Sequence, residues 1–184
     1  FDVLFNNSIS QNHAVSMSSG TDRAQYYTSL SVMSDPGWTK QSKVNRYTAN
    51  LNSLYNITKT LKLNLIANAS YRKQSAPGTL SSNADPVSGE VKRDFDINPY
   101  SYALNTSRTL DANEFYVRNY APFNILHELD NNYMDLKVTD LRFQGELKWK
   151  PFSKGEFSVL GAYKASNTVR QHKITEYSNQ AWAF

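Results

Sequence analysis

The chain has 184 residues and a net charge of +4; 40% of its residues are hydrophobic, 20% are charged and none is cysteine. The lack of cysteine excludes thiolate metal sites, cysteine catalysis and a disulfide framework, and the mild charge without a basic run argues against a nucleic-acid partner. No apolar run approaches the ~18 residues of a transmembrane helix, although a membrane β-barrel is signalled by alternation and not by a run.

The first part of the chain is predicted to lead into a series of strands. Residues 1–11 carry a small apolar cluster and are predicted to be a lead-in. Residues 12–72 then alternate between apolar and polar positions, and polar connections interrupt them at 19–23, 34–43 and 56–60. A period of two is typical of strands, and Gly- and Pro-containing connections are typical of turns. We therefore predict four consecutive strands.

The clearest strand covers residues 61–72, in which alternate positions differ in polarity. Its apolar positions are Leu61, Leu63, Leu65, Ala67, Ala69 and Tyr71. The positions between them are polar or charged, except Ile66. At ~3.3 Å per residue the strand is about 40 Å long, and ~9–11 residues tilted at ~45° suffice to cross a bilayer. This pattern is typical of a strand between lipid and water.

The second half continues with a long connection and two more strands. We predict a long extracellular loop at 73–134, strands at 135–170, and the start of the next extracellular loop at 171–184. Connections are short at one end of the strands and long at the other, as in transmembrane barrels with short periplasmic turns. Aromatic residues near the short-turn ends suit an interfacial girdle: Tyr26, Tyr55, Trp149 and Phe157.

The polar face of these strands is predicted to line a barrel lumen. The residues assigned to it are Lys62, Asn64, Asn68, Arg72, Arg142, Gln144, Glu146 and Lys148. Charged side chains facing lipid would cost ~2–4 kcal/mol each near the midplane, whereas a wide, watery or plugged lumen accepts them. Roughly six strands cannot close such a barrel, and an open sheet edge is not viable in lipid. The sequence therefore predicts an all-β segment of a larger antiparallel transmembrane barrel.

Four stretches of the sequence resemble SusC-like TonB-dependent transporters. The lead-in FDVLF with QNHAVSMSSGT (11–21) resembles the passage from plug domain into barrel, and RYTANLN (46–52) resembles a descending strand. RDFDINPYSYALNTSR (93–108) and NYAPFNIL (119–126) resemble the first large extracellular loop. The order and spacing of these motifs carry the resemblance, which extends over essentially the whole chain.

The resemblance implies a barrel of ~22 strands in the outer membrane of a Gram-negative cell, with residues 1–184 belonging entirely to the barrel domain. It also implies partners: the protein's own plug domain, a SusD-like surface lipoprotein, TonB–ExbB–ExbD, and the surrounding outer-membrane lipid. We expect a dimer of transporter–lipoprotein pairs. The expected cargo is an oligosaccharide or, in some members, a peptide. The plug and the TonB box are not in this sequence, so the fragment alone is not expected to transport.

Aromatic residues of the long loop are the candidate ligand or partner contacts. They are Phe95, Tyr100, Tyr102, Phe115, Tyr116, Tyr120 and Phe123. Tyr and Phe rings can lie against the apolar faces of sugar rings, but the same rings can instead pack the loop against the plug, the barrel rim or the lipoprotein. Both readings stay open at the level of sequence.

No residue is assigned a catalytic, cofactor or metal-binding role, and we do not expect an enzyme. Asp94 and Asp96 form an Asp-x-Asp without the Gly-containing continuation of a calcium loop, so Ca²⁺ is not indicated, although the wider complex could hold it. The three histidines have neither ligand spacing nor triad partners. Two alternatives from other classes are a small outer-membrane barrel acting as an enzyme or adhesin, and a soluble carbohydrate-binding β-sandwich.

Overall fold

A computed structural model describes residues 3–78, 83–84, 91–92, 99–118, 121–178 and 181. Their regular elements, in chain order, are β1 (Gln11–Gly20), β2 (Ala24–Asp35), β3 (Lys43–Asn56), β4 (Leu61–Pro77), β5 (Asn83–Ala84), β6 (Val91–Lys92), α1 (Pro99–Asn105), β7 (Tyr116–Arg118), β8 (Ala121–Phe123), α2 (Ile125–Asn131), β9 (Asn132–Phe152) and β10 (Gly155–Ile174). The six longest strands form one antiparallel sheet in the order β1-β2-β3-β4-β9-β10. The predicted all-β antiparallel architecture is confirmed.

The connections of this sheet differ strongly between its two ends. At one end, called the turn end, tight turns at 21–23, 57–60 and 153–154 join neighbouring strands. At the other, called the loop end, residues 36–42 join β2 to β3 and the long loop joins β4 to β9. Gly37 in the first of these connections has φ +69°, a conformation that favours glycine, and its N–H donates to Asp35 Oδ1 at 2.9 Å.

The strands beside the long loop extend beyond the predicted limits of 72, 135 and 170. The loop therefore covers 78–131 and not 73–134, and β10 continues to Ile174. Beyond Tyr71 the alternation changes phase, because Met134, Leu136 and Val138 are buried on the opposite face. The face of Tyr71 becomes polar here, with Lys73, Ser75 and Lys137, while backbone pairing continues. Ser75 Oγ, for example, donates to Asp135 Oδ1 across the strands at 2.6 Å. Ladder hydrogen bonds join backbone groups and do not require an apolar face.

The register places most of the apolar residues of the six strands on one face, called the apolar face. Two of its cross-strand rows are Val15, Leu30, Ala49, Ala69, Leu141, Ala165 and Met17, Thr28, Leu51, Ala67, Phe143, Tyr163. Many of these side chains are well exposed; Val15 is 74% exposed and Val159 72%. The hydroxyl of Thr28, the polar member of its row, donates to the Asn50 carbonyl at 3.1 Å, which satisfies it within the sheet.

Aromatic pairs mark both limits of the apolar face. Toward the turn end, Tyr26 meets Tyr55 edge-on at 5.4 Å between ring centroids, and Trp149 lies 5.9 Å from Phe157. Toward the loop end, Tyr47 stacks on Tyr71 at 6.3 Å. On β4 the apolar residues run from Leu61 to Tyr71, about 34 Å along the strand and about 24 Å high at a tilt of ~45°. This height matches the ~25 Å apolar band of outer-membrane barrels.

The long loop folds back on itself and on the lead-in. Its core consists of Leu4, Tyr102, Phe123, Ile125 and Leu129, which are at most 8% exposed. The lead-in also pairs with the β2–β3 connection, because Lys40 N donates to Leu4 O and Asn6 N donates to Trp38 O. The lead-in and both connections at the loop end thus form one packed unit.

The large sheet is a single layer. The other sheets in the described residues are the two-stranded pairs β5–β6 and β7–β8, neither of which supplies a second layer of comparable size. A soluble sandwich would bury the apolar face against such a layer. The exposed apolar face therefore argues against the sandwich alternative.

Candidate functional site

The face opposite the apolar one carries every residue that was predicted to line a lumen. On β4 and β9 the cross-strand pairs are Lys62 with Lys148, Asn64 with Glu146, Ile66 with Gln144, Asn68 with Arg142, and Arg72 with Val138. All of these side chains lie on one face because residues directly opposite each other in a sheet point the same way. This surface is called the polar face.

Side-chain hydrogen bonds cross the middle of the polar face. Asn68 Nδ2 donates to Asn50 Oδ1 at 2.8 Å, and Asn50 Nδ2 donates to Ser29 Oγ at 3.1 Å. These two bonds connect β4, β3 and β2. Further across the same face, between β10 and β9, Ser166 Oγ donates to Asp140 Oδ1 at 2.6 Å. Such bonds link the polar side chains of neighbouring strands across this face.

Positive charge concentrates in a groove on the polar face toward the loop end. The groove has a volume of about 930 Å³, and its charged lining residues are Arg46, Arg72, Arg142, Lys164 and Asp140. Arg46 and Arg72 are directly opposite each other across β3 and β4. The Arg142 guanidinium donates to Gln144 Oε1 at 2.9 Å. Among these described residues cations outnumber the one acid, so the groove is electropositive.

The turn end of the polar face has more balanced charges. Lys148 Nζ lies 3.2 Å from Glu146, and Lys150 Nζ lies 2.7 Å from Glu156. The Lys150 ammonium lowers the pKa of the Glu156 carboxyl below its ordinary value, chiefly through this hydrogen bond. Glu156 precedes Phe157 and so lies beyond the apolar band. Because Lys150 and Glu156 are exposed, their pair contributes little to stability.

The loop aromatics fall into two groups. Tyr102 and Phe123 are buried in the loop core, and Tyr116 packs edge-on against Phe123 at 5.5 Å. These rings hold the loop together, so the ligand-contact prediction is withdrawn for them. Tyr100 and Phe115 remain 48% and 51% exposed and keep that candidate role. Phe95 and Tyr120 lie outside the described residues.

An exposed aromatic stack at the loop end includes a residue that the sequence reasoning missed. Trp38, from the β2–β3 connection, stacks on Phe5 at 5.5 Å and meets Tyr100 edge-on at 5.8 Å. Trp38 is 61% exposed. The sequence could have indicated Trp38 as a candidate, because the connection between β2 and β3 lies at the same end of the sheet as the long loop.

A buried polar cluster anchors α2 to the end of β10. Ser178 Oγ donates to Glu128 Oε1 at 2.5 Å, and Asn132 Nδ2 donates to the same oxygen at 3.3 Å. His172 Nε2 lies 2.7 Å from Asn132 Oδ1. Burial, with a smaller contribution from the Arg170 charge, lowers the pKa of His172 below its ordinary value. His172 lies beyond the apolar band, on the loop side of it.

Within the described ranges, no group of three or more His, Asp or Glu side chains could hold a metal ion. Asp94 and Asp96 lie outside those ranges. The described helices include none that is long and apolar enough to cross a membrane.

Comparison with solved structures shows which known fold this geometry shares. The chain is similar to a chain of the RagAB peptide transporter, with a TM-score of 0.65 and 15% identity over 92% of this chain. It is also similar to a chain of the RagAB peptide importer in the closed-closed state, with a TM-score of 0.66 and 15% identity over 95%. The sheet is a segment of an antiparallel β-barrel wall.

The likeness at 15% identity concerns the fold alone. The matched region is 19% of the length of each transporter chain. No protein-family model matches the chain, and no curated protein matches it at a significant level.

Proposed function

We propose that this chain is part of the barrel wall of a TonB-dependent importer, which carries a nutrient across the outer membrane of a Gram-negative cell. The single observation that carries the proposal is the division of a long six-stranded sheet into an exposed apolar face of bilayer height and a charged, hydrogen-bonded polar face. The transporter fold of the similar structures supports it. The outer edges of β1 and β10 pair with no strand of the described residues, so further strands are needed in lipid.

In this proposal the apolar face lies against lipid and the polar face lines a lumen that holds a plug domain. The proposed barrel has ~22 strands, the turn end faces the periplasm and the loop end faces outward. The proposed partners remain those implied by the sequence resemblance: a SusD-like lipoprotein at the loop end, TonB–ExbB–ExbD acting on the plug, and a dimer of transporter–lipoprotein pairs.

The proposed cargo is an oligosaccharide, and a peptide is the second candidate. The exposed rings of Trp38, Tyr100 and Phe115 suit either one, because aromatic faces contact sugar rings and apolar peptide side chains alike. The oligosaccharide is proposed because the sequence resembles SusC-like transporters. The peptide is favoured by the similar structures, which are a peptide transporter and a peptide importer.

The test is uptake by cells that carry the full-length protein, a deletion of its gene, or the intact gene without TonB. Cells are given mixtures of labelled oligosaccharides and of labelled peptides. Uptake of one class that requires both the protein and TonB supports the proposal and identifies the cargo. Full-length protein that is recovered outside the outer membrane, or TonB-independent uptake, contradicts it.

A further inference from the structure

Lysine side chains occupy the apolar face immediately beyond its aromatic limit at the loop end. Lys73 and Lys137 are direct cross-strand partners on β4 and β9. They form the next row on this face after the Tyr71–Thr139 pair, two residues further along each strand. Lys43 lies on the same face one row further, opposite Ser75. These three residues are called the lysine belt. Lys43 and Lys73 are exposed and Lys137 is half-buried.

The belt has no carboxylate partner among the described residues: neither described ion pair involves Lys43, Lys73 or Lys137. Asp135, the acid nearest in register, instead accepts a hydrogen bond from Ser75 at 2.6 Å. Like charges directly opposite each other in a sheet are destabilising unless something neutralises them. Asp135 therefore supplies one negative charge beside three lysines without forming an ion pair with any of them, and the belt keeps an excess of positive charge.

The position of the belt indicates where a neutralising anion lies. Tyr47 and Tyr71 stack at the limit of the apolar band, the level at which aromatic rings meet a membrane interface. One row beyond them is about 7 Å along a strand, or ~5 Å along the membrane normal at a tilt of ~45°. Lysine stems can lie along the apolar surface and extend their ammonium groups to headgroup level.

We propose that the lysine belt binds the phosphate group of an anionic lipid in the leaflet at the loop end. The proposal rests on the proposed function, because it requires the apolar face to lie in lipid. The charges complement each other: two or three ammonium groups face one phosphate, which also removes the repulsion between Lys73 and Lys137. A bound lipid fixes the vertical position of β4 and β9 just below the long loop.

The chain contains a matched control pair. Lys62 and Lys148 are also direct partners on β4 and β9, but they lie on the polar face near the turn end. The variants Lys73→Gln/Lys137→Gln and Lys62→Gln/Lys148→Gln thus remove equal charge from the same two strands. Only the first pair touches the proposed lipid site.

The experiment titrates the full-length protein, purified in neutral detergent, with fluorescent phosphatidic acid. At ~1 kcal/mol per lysine, the loss of two belt lysines should weaken binding about 30-fold, whereas the control variant should bind as the wild type does. Equal affinity of all three proteins, or an equal loss in both variants, overturns the proposal.

Two further measurements distinguish a lipid site from a site for free phosphate, and a failure of the lipid inference from a failure of the proposed function. Inorganic phosphate, added at the same concentration as the lipid, should not displace it; full displacement would assign the belt to a free anion and overturn the lipid site. Recovery of each protein from the outer membrane, with heat-modifiable gel mobility, tests the proposed function on its own. Proteins that insert normally but ignore phosphatidic acid contradict only the lipid inference.

Discussion

The imidazole of His172 on β10 meets the fully buried side chain of Asn132 on β9, with 2.7 Å between His172 Nε2 and Asn132 Oδ1. This contact belongs to the polar cluster that ties α2 to the end of β10. Asn132 in turn donates to Glu128, whose carboxylate also accepts from Ser178. The loop end of the sheet is therefore held by a chain of polar groups, in which Glu128, Asn132 and Ser178 are buried and His172 is half-buried.

The first prediction concerns pH. Burial lowers the pKa of His172 in the folded protein. As the pH falls, His172 therefore binds a proton more readily in the state in which its contact with Asn132 is broken and the imidazole is solvated. The anchor keeps its full stability above the ordinary histidine pKa of ~6.5 and weakens progressively below it, levelling off below the folded pKa. Hydrogen exchange at the amides of Gly78 and Thr175, corrected for intrinsic rates, should show less protection near pH 5.5 than near pH 8.

His172→Gln provides the control for this prediction, because glutamine retains a donor and does not titrate. Protection in that variant should be the same at both pH values. An unchanged pH dependence in His172→Gln would assign the effect to another group.

The second prediction concerns the space at Gly78. A Cβ atom there would lie 1.8 Å from Asn132 Oδ1 and 2.7 Å from His172 Nε2, so Gly78→Ala must displace this contact. Overpacking of this kind typically costs about 1–3 kcal/mol, and we expect a corresponding loss of exchange protection at Thr175. Gly161→Ala is the matched control, since its Cβ would meet nothing within 4 Å. Equal protection in Gly78→Ala and the wild type would contradict the prediction.

The third prediction tests the two faces of the sheet with neighbouring residues of β4. Ala67 lies on the apolar face beside Phe143, and Ile66 lies on the polar face beside Gln144. A lysine in lipid near the midplane costs about 2–4 kcal/mol, whereas one in a hydrated lumen costs little. Ala67→Lys should therefore reduce the heat-modifiable, folded fraction of the full-length protein, and Ile66→Lys should leave it close to wild type. The reverse order would place lipid on the other face.

The fourth prediction concerns the aromatic stack. An aromatic contact contributes about 0.5–1.5 kcal/mol, so Trp38→Ala should weaken cargo binding by roughly 2- to 12-fold. The measurement is the half-saturating cargo concentration in the uptake assay. Tyr163→Ala is the control, because Tyr163 is exposed on the apolar face, far along the strand from the loop end. An effect that is equal in both variants would show that the stack has no specific role.

The sequence by itself determined the faces of the sheet. Alternation along residues 61–72 identified which side chains share a face, and the aromatic residues near the turns marked one limit of the apolar band. These features are local, because a strand's period of two follows from its own backbone geometry. The polar residues assigned to one face from each strand separately do lie together once the strands pair.

Only the tertiary structure decided how residues distant in sequence meet. The stack of Trp38 on Phe5, the burial of Tyr102 and Phe123, and the contact between His172 and Asn132 all join separate segments. The pairing of Lys73 with Lys137 depends on the register between β4 and β9, which the 54 intervening residues (78–131) do not encode as a pattern. Register and loop packing are set by contacts between residues far apart in sequence, so the local alternation of apolar and polar residues cannot predict them.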